Sequence, residues 1–264
     1  MCMILSAEKK KLLWQDQFGI SVTKDQFSVA LAGNPNVGKS TIFNALTGLH
    51  QHTGNWPGKT VDNAQGSFYH QQKSFLIVDL PGTYSLLAHT VEEQIARDFL
   101  CFANPDVTVV VLDATCLERN LNLALQVFEI TTKVIVCLNL MDEADKKDLV
   151  IDVPSLEREL GVPVIAASAR QGEGLTELRN KIYQVATGAL QTKPRQIIYS
   201  SEVENALQDL LPLVADIASH TLPPRWIALR LLDGDQSFLN SLSNYLDIHQ
   251  TSFHPGWEES KCAQ

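Results

Sequence analysis

The chain has 264 residues, of which 45% are apolar and 19% are charged, and its formal net charge is −9. This length can bury a complete hydrophobic core, and the composition excludes wholesale disorder. This net negative charge argues against sequence-independent binding of nucleic acid, and against a protein that binds membrane surfaces through a polybasic segment. Five cysteines without a C-x-x-C pair indicate free thiols rather than a disulfide framework or a zinc site.

After a first stretch of mixed polarity, residues 1–26, strand-like and helix-like runs alternate along the chain. The strand-like runs are apolar and rich in Val and Ile, as in parallel strands buried on both faces. They are Phe27–Ala32, Ser74–Val78, Val107–Leu112, Val134–Leu138 and Val164–Ala167. The helix-like runs are Lys39–Thr47, Val91–Ala103, Leu121–Thr131, Ser155–Leu160 and Leu175–Thr187. The alternation predicts βαβ units, and Gln65–His70 with Ser74–Val78 predicts one antiparallel hairpin at an edge.

The alternation of strand-like and helix-like runs ends after Gly188. Three helix-like runs follow without a comparable strand, and they are Glu202–His220, Trp226–Leu232 and Ser237–Leu246. The predicted organisation is therefore an N-terminal extension over 1–26, an α/β domain over 27–189 and a smaller all-helical domain over 190–264. No apolar run approaches the roughly 20 residues that span a bilayer, so we expect this chain by itself to be soluble.

The segment from Gly33 to Ser40 matches the pattern G-x-x-x-x-G-K-[ST], follows a strand and opens a helix, which is the context this motif requires. Its backbone N–H groups and the helix N-terminus would surround phosphate groups. Lys39 would reach the β- and γ-phosphates, and the Ser40 hydroxyl would bind Mg²⁺. The predicted phosphate-binding residues are Gly33, Asn34, Pro35, Asn36, Val37, Gly38, Lys39, Ser40 and Thr41.

Two further segments follow the ends of predicted strands. Asp79-Leu80-Pro81-Gly82 follows the Ser74–Val78 run, so that Asp79 would hold Mg²⁺ through water and the Gly82 N–H would meet a γ-phosphate. Asn139-Leu140-Met141-Asp142 follows the Val134–Leu138 run. The Asp142 carboxylate can accept from both the N1–H and the 2-amino group of guanine, and adenine lacks both donors.

Ser168-Ala169-Arg170 follows the last predicted strand, and we expect the Ala169 N–H to contact the base carbonyl. Thr60 lies between the phosphate-binding loop and Asp79, within Asn55-Trp56-Pro57-Gly58-Lys59-Thr60. A threonine there would complete the Mg²⁺ coordination only when a γ-phosphate is present, which predicts a switch over about residues 50–64 with Gly58 near the nucleotide. We expect Trp56 to be mobile and partly exposed.

Together these five segments resemble the G1 to G5 motifs of the TRAFAC-class small GTPases. More narrowly, the stretches GNPNVGKS, HTGNWPGKTV, DLPGTYSL and NLMDEAD resemble the cytosolic G domain of the FeoB family of bacterial ferrous-iron transporters. The helical tail resembles the GDI-like helical domain of that family, so that the resemblance covers residues 27 to about 260. It implies an α/β Ras-like P-loop GTPase with a mostly parallel sheet and a smaller all-helical domain.

The resemblance also implies roles for single residues. Asn36 matches the loop asparagine that coordinates an activating K⁺, with backbone carbonyls near Asn55–Gly58 completing that site. The implied catalytic set is Asn36, Lys39, Thr60 and Gly82, and the implied metal-binding set is Ser40, Thr60, Asp79 and Asn36. Thr83 stands where Ras-like proteins hold a water-orienting Gln, and Leu140 replaces the Lys of the N-K-x-D form. We therefore expect slow hydrolysis, no catalytic base, modest affinity and fast nucleotide release.

As a whole, the resemblance implies a slow, K⁺-activated GTPase that binds GTP or GDP with Mg²⁺ and couples its nucleotide state to Fe²⁺ uptake. A transmembrane iron-transport domain would follow this chain, at the cytoplasmic face of the bacterial inner membrane. No nucleic-acid partner is expected, and the resemblance leaves open whether the chain forms a homo-oligomer. Two alternatives remain: a stand-alone Era- or MnmE-type GTPase of ribosome assembly or tRNA modification, and a nucleotide-dependent interaction module with negligible turnover.

Overall fold

The structure, a computed structural model, describes residues 14–23, 25–48, 51–87, 89–215 and 222–251. Seven strands form one sheet in the order β2-β3-β4-β1-β5-β6-β7. The strands are β1 (Gln26–Gly33), β2 (Gln51–Asn55), β3 (Asp62–His70), β4 (Lys73–Asp79), β5 (Val107–Asp113), β6 (Val134–Asn139) and β7 (Val164–Ala166). All pairs from β4 to β7 are parallel, whereas β2 and β3 are antiparallel to their neighbours. The predicted α/β architecture is confirmed.

The helices cover both faces of this sheet. They are α1 (Lys39–Thr47), α2 (Val91–Asp98), α3 (Leu117–Ile130), α4 (Met141–Lys146), α5 (Val153–Leu160), α6 (Leu175–Ala186), α7 (Ser201–Val214), α8 (Pro224–Leu232) and α9 (Gln236–Thr251). Helix α2 continues into a π-helical turn, Phe99–Ala103, and residues 14–18 are also helical. Thr90 and Glu93 form a capping box that fixes the start of α2, because each satisfies a backbone N–H of the other.

Two apolar clusters follow from the alternation of side chains along the buried strands. On one face, β1 and β4 contribute Val29, Leu31, Phe75 and Ile77 to a cluster with α1 and α6. On the other face, strand residues such as Val78 and Val110 pack with α2, α3 and α5. The buried residues of α7, α8 and α9 belong to this second cluster, so the helical region extends an existing core instead of forming a separate one.

Four details differ from the predictions. The predicted hairpin exists as β3 and β4, but β2 pairs outside it, so β3 does not lie at the sheet edge. Helix α4 was not predicted, and α3 begins at Leu117 instead of Leu121. The predicted helix Glu202–His220 ends at Val214 as α7, and residues 216–221 lie outside the described part of the chain.

Arg97, on α2, joins the sheet-bearing part of the protein to α9. Its fully buried guanidinium pairs with Asp98 at 2.8 Å and with Asp235 at 3.4 Å. It also donates to the hydroxyls of Ser237 and Ser241, each at 3.3 Å. A buried cation with this many acceptors is costly to disturb, because loss of one partner leaves the others without a counter-charge.

We predict that Arg97→Ala lowers the free energy of unfolding by about 3–5 kcal/mol, the usual cost of breaking a buried ionic network. Urea unfolding followed by circular dichroism measures this loss. Arg195→Ala is the matched control, since Arg195 pairs with Glu159 at an exposed site and such pairs contribute under about 1 kcal/mol. Equal losses in the two variants would show that the buried network does not stabilise the fold.

Candidate functional site

The phosphate-binding loop connects β1 to α1 at the carboxyl edge of the parallel strands. Asn36 and Gly38 have positive φ angles of 66° and 86°, and Gly38 precedes the first residue of α1. A Cβ on Gly38 would lie 2.3 Å from the Nδ2 atom of Asn139, so a side chain is excluded there by contact as well as by backbone conformation. Gly33 is equally confined, because a Cβ there would lie 2.6 Å from the Val111 carbonyl oxygen.

Asn139, at the end of β6, connects three of the predicted motifs through one amide. Its Nδ2 donates to the Val37 carbonyl at 2.9 Å, and its Oδ1 accepts from the Ala169 N–H at 3.1 Å. Both bonds are buried, where an amide hydrogen bond is strong and its loss is expensive. The phosphate-binding loop and the loop after β7 are therefore held in register by the first residue of the predicted base-recognition motif.

A cluster of charged and polar groups faces the phosphate-binding loop. Lys39, Ser40, Asp79, Leu80, Pro81 and Gly82 line a cleft of about 580 Å³ together with Thr53, Gly54, Asn55, Asp62, Asn63 and Ala64. Lys39 Nζ donates to the Gly33 carbonyl at 3.3 Å. A Cβ on Gly82 would lie 3.1 Å from Lys39 Nζ, so the Gly82 backbone is directly adjacent to the ammonium group.

Burial dominates the electrostatics of this cluster. It raises the pKa of Asp79 to about 6, against the opposing effects of the Lys39 ammonium and the hydrogen bond from Ser40. Burial also lowers the pKa of Lys39, and the Asp79 carboxylate partly offsets that effect. One Asp79 carboxylate oxygen is buried without a hydrogen-bond partner. A bound cation would stabilise the ionised form of Asp79 and satisfy this oxygen.

The oxygen atoms in this cluster fit Mg²⁺, which binds hard oxygen ligands and commonly takes one or two protein groups together with substrate phosphates. The Ser40 hydroxyl and the Asp79 carboxylate are such groups, and they line the same cleft. Within the described ranges, no group of three or more His, Cys, Asp or Glu side chains is arranged to hold a metal ion by itself.

Asp142 lies in the first turn of α4, near the loop after β7. Its Oδ2 accepts from the Gln171 side-chain amide at 3.3 Å. Met141 N–H donates to the Ala167 carbonyl at 3.2 Å, and the Ser168 backbone bridges to Glu173, so Ser168, Ala169 and Arg170 lie next to this helix start. Gln171 was missed, because a lone glutamine after Ser-Ala-Arg carries no pattern of its own.

The segment between α1 and β3 is only partly at the cleft. Asn55 and Asp62 line it, whereas Gly58 and Thr60 do not, and Thr60 is exposed. The expectation for Trp56 was wrong: its ring is only 3% exposed and packs edge-on against Phe18 and Phe99, at centroid distances of 6.2 and 5.7 Å. Thr83 is also buried, and its N–H donates to the Gly33 carbonyl at 3.3 Å.

The strand order, the phosphate-binding loop after β1, the acidic residue after β4 and the Asn139–Asp142 motif after β6 together define the G domain of a P-loop GTPase. Comparison with known proteins identifies the family. The model of the family described as "Ferrous iron transport protein B" matches residues 27–182, and the model of the "FeoB cytosolic helical domain" matches residues 199–252. The chain belongs to the FeoB family.

Individual relatives agree with this assignment. The Fe(2+) transport protein A/Fe(2+) transporter FeoB fusion protein of Porphyromonas gingivalis is 41% identical over 212 residues, which are 79% of this chain and 25% of that protein. The cytosolic domain of the T. maritima FeoB iron transporter superposes in a GDP form with a TM-score of 0.76 and 37% identity, over 89% of this chain and 88% of that one. Its GMPPNP form gives a TM-score of 0.73 and 36% identity, over 88% of both chains.

The chain thus spans about a quarter of the length of the curated relative from P. gingivalis. Within the described residues, no helix combines the length and the apolar character that crossing a membrane would need. The site analysed above lies wholly in the part that matches the G-domain model.

We predict that Asn139→Ala weakens the binding of GDP and GTP alike by about 10- to 100-fold, because two buried hydrogen bonds that hold the loops are lost. Titration with a fluorescent guanine nucleotide measures the affinity. Asn120→Ala is the control, since Asn120 is also buried and, among the described residues, its side chain bonds to the Cys116 carbonyl and the Asp113 N–H, away from the nucleotide motifs. A similar loss of affinity in both variants would show that Asn139 acts only through general stability.

Proposed function

We propose that this chain is the guanine-nucleotide switch of a ferrous-iron transporter, which binds GTP with Mg²⁺ and hydrolyses it slowly to GDP and phosphate. The observation that supports this most directly is the cluster of Lys39, Ser40 and Asp79, which lines one cleft beside the phosphate-binding loop. The T. maritima relative has been solved in GDP and GMPPNP forms, and this chain shares its fold over most of both chains.

The phosphate side of the proposed reaction depends on groups already in place. Lys39 and the N-terminal end of α1 would bind the β- and γ-phosphates, while the Gly82 N–H would donate a hydrogen bond to the γ-phosphate. Ser40 and Asp79 would hold Mg²⁺, which would neutralise charge that develops between the β- and γ-phosphates. Thr60 would join this site after the exposed tip of its loop moves toward the cleft.

A second cation is proposed at Asn36. The Asn36 side chain and backbone carbonyls over Asn55–Gly58 would hold K⁺, which would supply positive charge next to the transferring phosphoryl group. Asn55 lines the phosphate cleft together with Lys39 and Asp79. Thr83 is buried and its N–H bonds to Gly33, so it is not placed to orient water, and we assign no catalytic base.

Guanine selection is assigned to Asp142. Its carboxylate would accept from the N1–H and the 2-amino group of guanine. The Ala169 N–H donates to Asn139 Oδ1 at 3.1 Å, so a bond from it to the base carbonyl would share that N–H between two acceptors. Guanine has to displace the Gln171 amide from Asp142, which offsets part of the binding free energy. Leu140, in a left-handed conformation with φ 63°, adds no ammonium group over the base. Both features favour modest affinity and fast release.

The helical region of α7, α8 and α9 is the proposed transmitter to a membrane-embedded iron-transport domain at the cytoplasmic face of the bacterial inner membrane. It shares an apolar core with α2 and α3, and Arg97 ties α2 to α9. The alternative of an Era- or MnmE-type GTPase is not favoured, because the family models for both the G domain and the helical domain match FeoB.

The first test is the initial rate of phosphate release from GTP with Mg²⁺, measured at matched concentrations of KCl and NaCl. ATP, supplied alone in place of GTP, is the control substrate. We expect a GTP-specific rate that is higher in KCl, and loss of the KCl effect in Asn36→Ala. Equal rates in both salts would remove the potassium mechanism and leave a slow switch. Comparable turnover of ATP would contradict the assignment of a guanine-specific site.

Asp142→Asn is predicted to exchange guanine for xanthine specificity. Xanthine carries a carbonyl where guanine has its 2-amino group, and the Asn amide can donate to it whereas the Asp carboxylate cannot. GTP affinity should fall by roughly 10²-fold or more, and XTP should become the better substrate. Competition of GDP and XDP for a fluorescent nucleotide measures the change. Unaltered preference for GDP would show that Asp142 does not contact the base.

A further inference from the structure

The segment over residues 14–20 packs against the loop that carries the proposed switch. Phe18 contacts the rings of both Trp56 and Phe99, at centroid distances of 6.2 and 5.1 Å. Trp14 contacts Phe99 at 5.0 Å, and its Nε1 donates to the Ala103 carbonyl at 2.8 Å. Trp14, Phe18, Trp56 and Phe99 thus form one buried aromatic cluster from three parts of the chain, called here the aromatic dock.

The backbone of this segment is fixed as well. The Gly19 and Ile20 N–H groups donate to the carbonyls of Gln15 and Trp14, which closes the helical turn. Gly19 has a φ of 64°, and a Cβ there would lie 3.2 Å from Pro57 Cγ. The segment therefore approaches the Pro57 ring so closely that a side chain at residue 19 would push against it.

Trp56 is the member of the aromatic dock that adjoins the phosphate cleft in the chain. The preceding residue, Asn55, lines that cleft with Lys39 and Asp79, while the following residues 57–60 are exposed. The Trp56 N–H donates to the Val61 carbonyl at 3.0 Å, and the Lys59 N–H donates to the Trp56 carbonyl at 2.9 Å. The loop is thus anchored at Trp56, and its tip is exposed.

We propose that residues 14–20 hold Trp56 and, through it, keep Asn55 at the phosphate cleft, which makes Trp14 and Phe18 positioning residues for the potassium-activated reaction. This rests on the proposed function, in which carbonyls over Asn55–Gly58 bind K⁺. Anchoring Trp56 organises part of that cation site before the nucleotide arrives, and the exposed tip leaves Thr60 free to move. A cation site present only in a fraction of molecules needs proportionately more cation.

The decisive experiment measures the rate of GTP hydrolysis at increasing KCl concentrations, in the whole wild-type chain and in Phe18→Ala. We expect the half-saturating KCl concentration to rise roughly five-fold, as anchored loops fall to about a fifth of the population. The affinity for GDP should not change, because it depends on the phosphate-binding loop and Asp142. Phe18→Leu, which keeps an apolar side chain in the dock, should restore most of the potassium response.

Phe68→Ala is the matched control, since Phe68 is also buried but stacks on Phe75 in the apolar cluster on the opposite face of the sheet. Its potassium requirement should equal that of the wild type. If Phe18→Ala does not fold, Trp14→Phe tests the same point, because it keeps an aromatic ring in the dock and removes the hydrogen bond to Ala103. An unchanged or lower KCl requirement in the dock variants would overturn the inference.

Hydrogen exchange separates this inference from the proposed function. In Phe18→Ala the amides over residues 55–61 should exchange faster than in the wild type, and in Phe68→Ala they should not. If the wild type shows no potassium effect, the proposed potassium mechanism fails. The hydrogen-exchange result then decides by itself whether the aromatic dock holds the loop at Trp56. Unchanged exchange in Phe18→Ala overturns the dock whatever the wild type does in KCl.

Discussion

The side-chain amide of Asn139 is the interaction on which the rest of the site depends. Its two buried hydrogen bonds reach the Val37 carbonyl in the phosphate-binding loop and the Ala169 N–H after β7. Gly38 has to be glycine for this contact to form, because a Cβ would occupy the position of Nδ2. The sites proposed for phosphate and for base are therefore set by one geometric condition, and neither loop can shift without breaking a buried bond.

A single helical segment connects the proposed switch to the helical region. Arg97, near the end of α2, pairs with Asp235 and bonds to hydroxyls on α9, while Phe99, in the π-helical turn, contacts Trp56 in the loop before β3. Because these two residues are two positions apart in one continuous helical segment, a displacement of Trp56 would act on the same segment that contacts α9. A π-helical turn at such a place agrees with the tendency of these turns to occur near functional sites.

The sequence determines the parallel core well, because runs rich in Val and Ile with glycine-rich loops at their ends have few other arrangements. Its limits are equally physical. Strand β2 contains no apolar residue, so only pairing with β3 makes it a strand. Trp56 was predicted to be mobile because its partners, Phe18 and Phe99, are far away in sequence, and the first belongs to an extension with weak periodicity. The Gln171 contact with Asp142 depends likewise on the fold of two loops.

Buried polar atoms without partners give independent information about where a ligand belongs. Both polar side-chain atoms of Asn34 and one carboxylate oxygen of Asp79 are in this condition, as are several atoms that do not line the cleft, Thr108 Oγ1 and Trp226 Nε1 among them. Each such group costs about 1–3 kcal/mol unless something pairs with it, and folded proteins rarely tolerate them close together. Here Asn34 lies in the phosphate-binding loop and Asp79 beside it. A phosphate group with its cation would supply the missing partners, so the same atoms that weaken the empty fold would strengthen the complex.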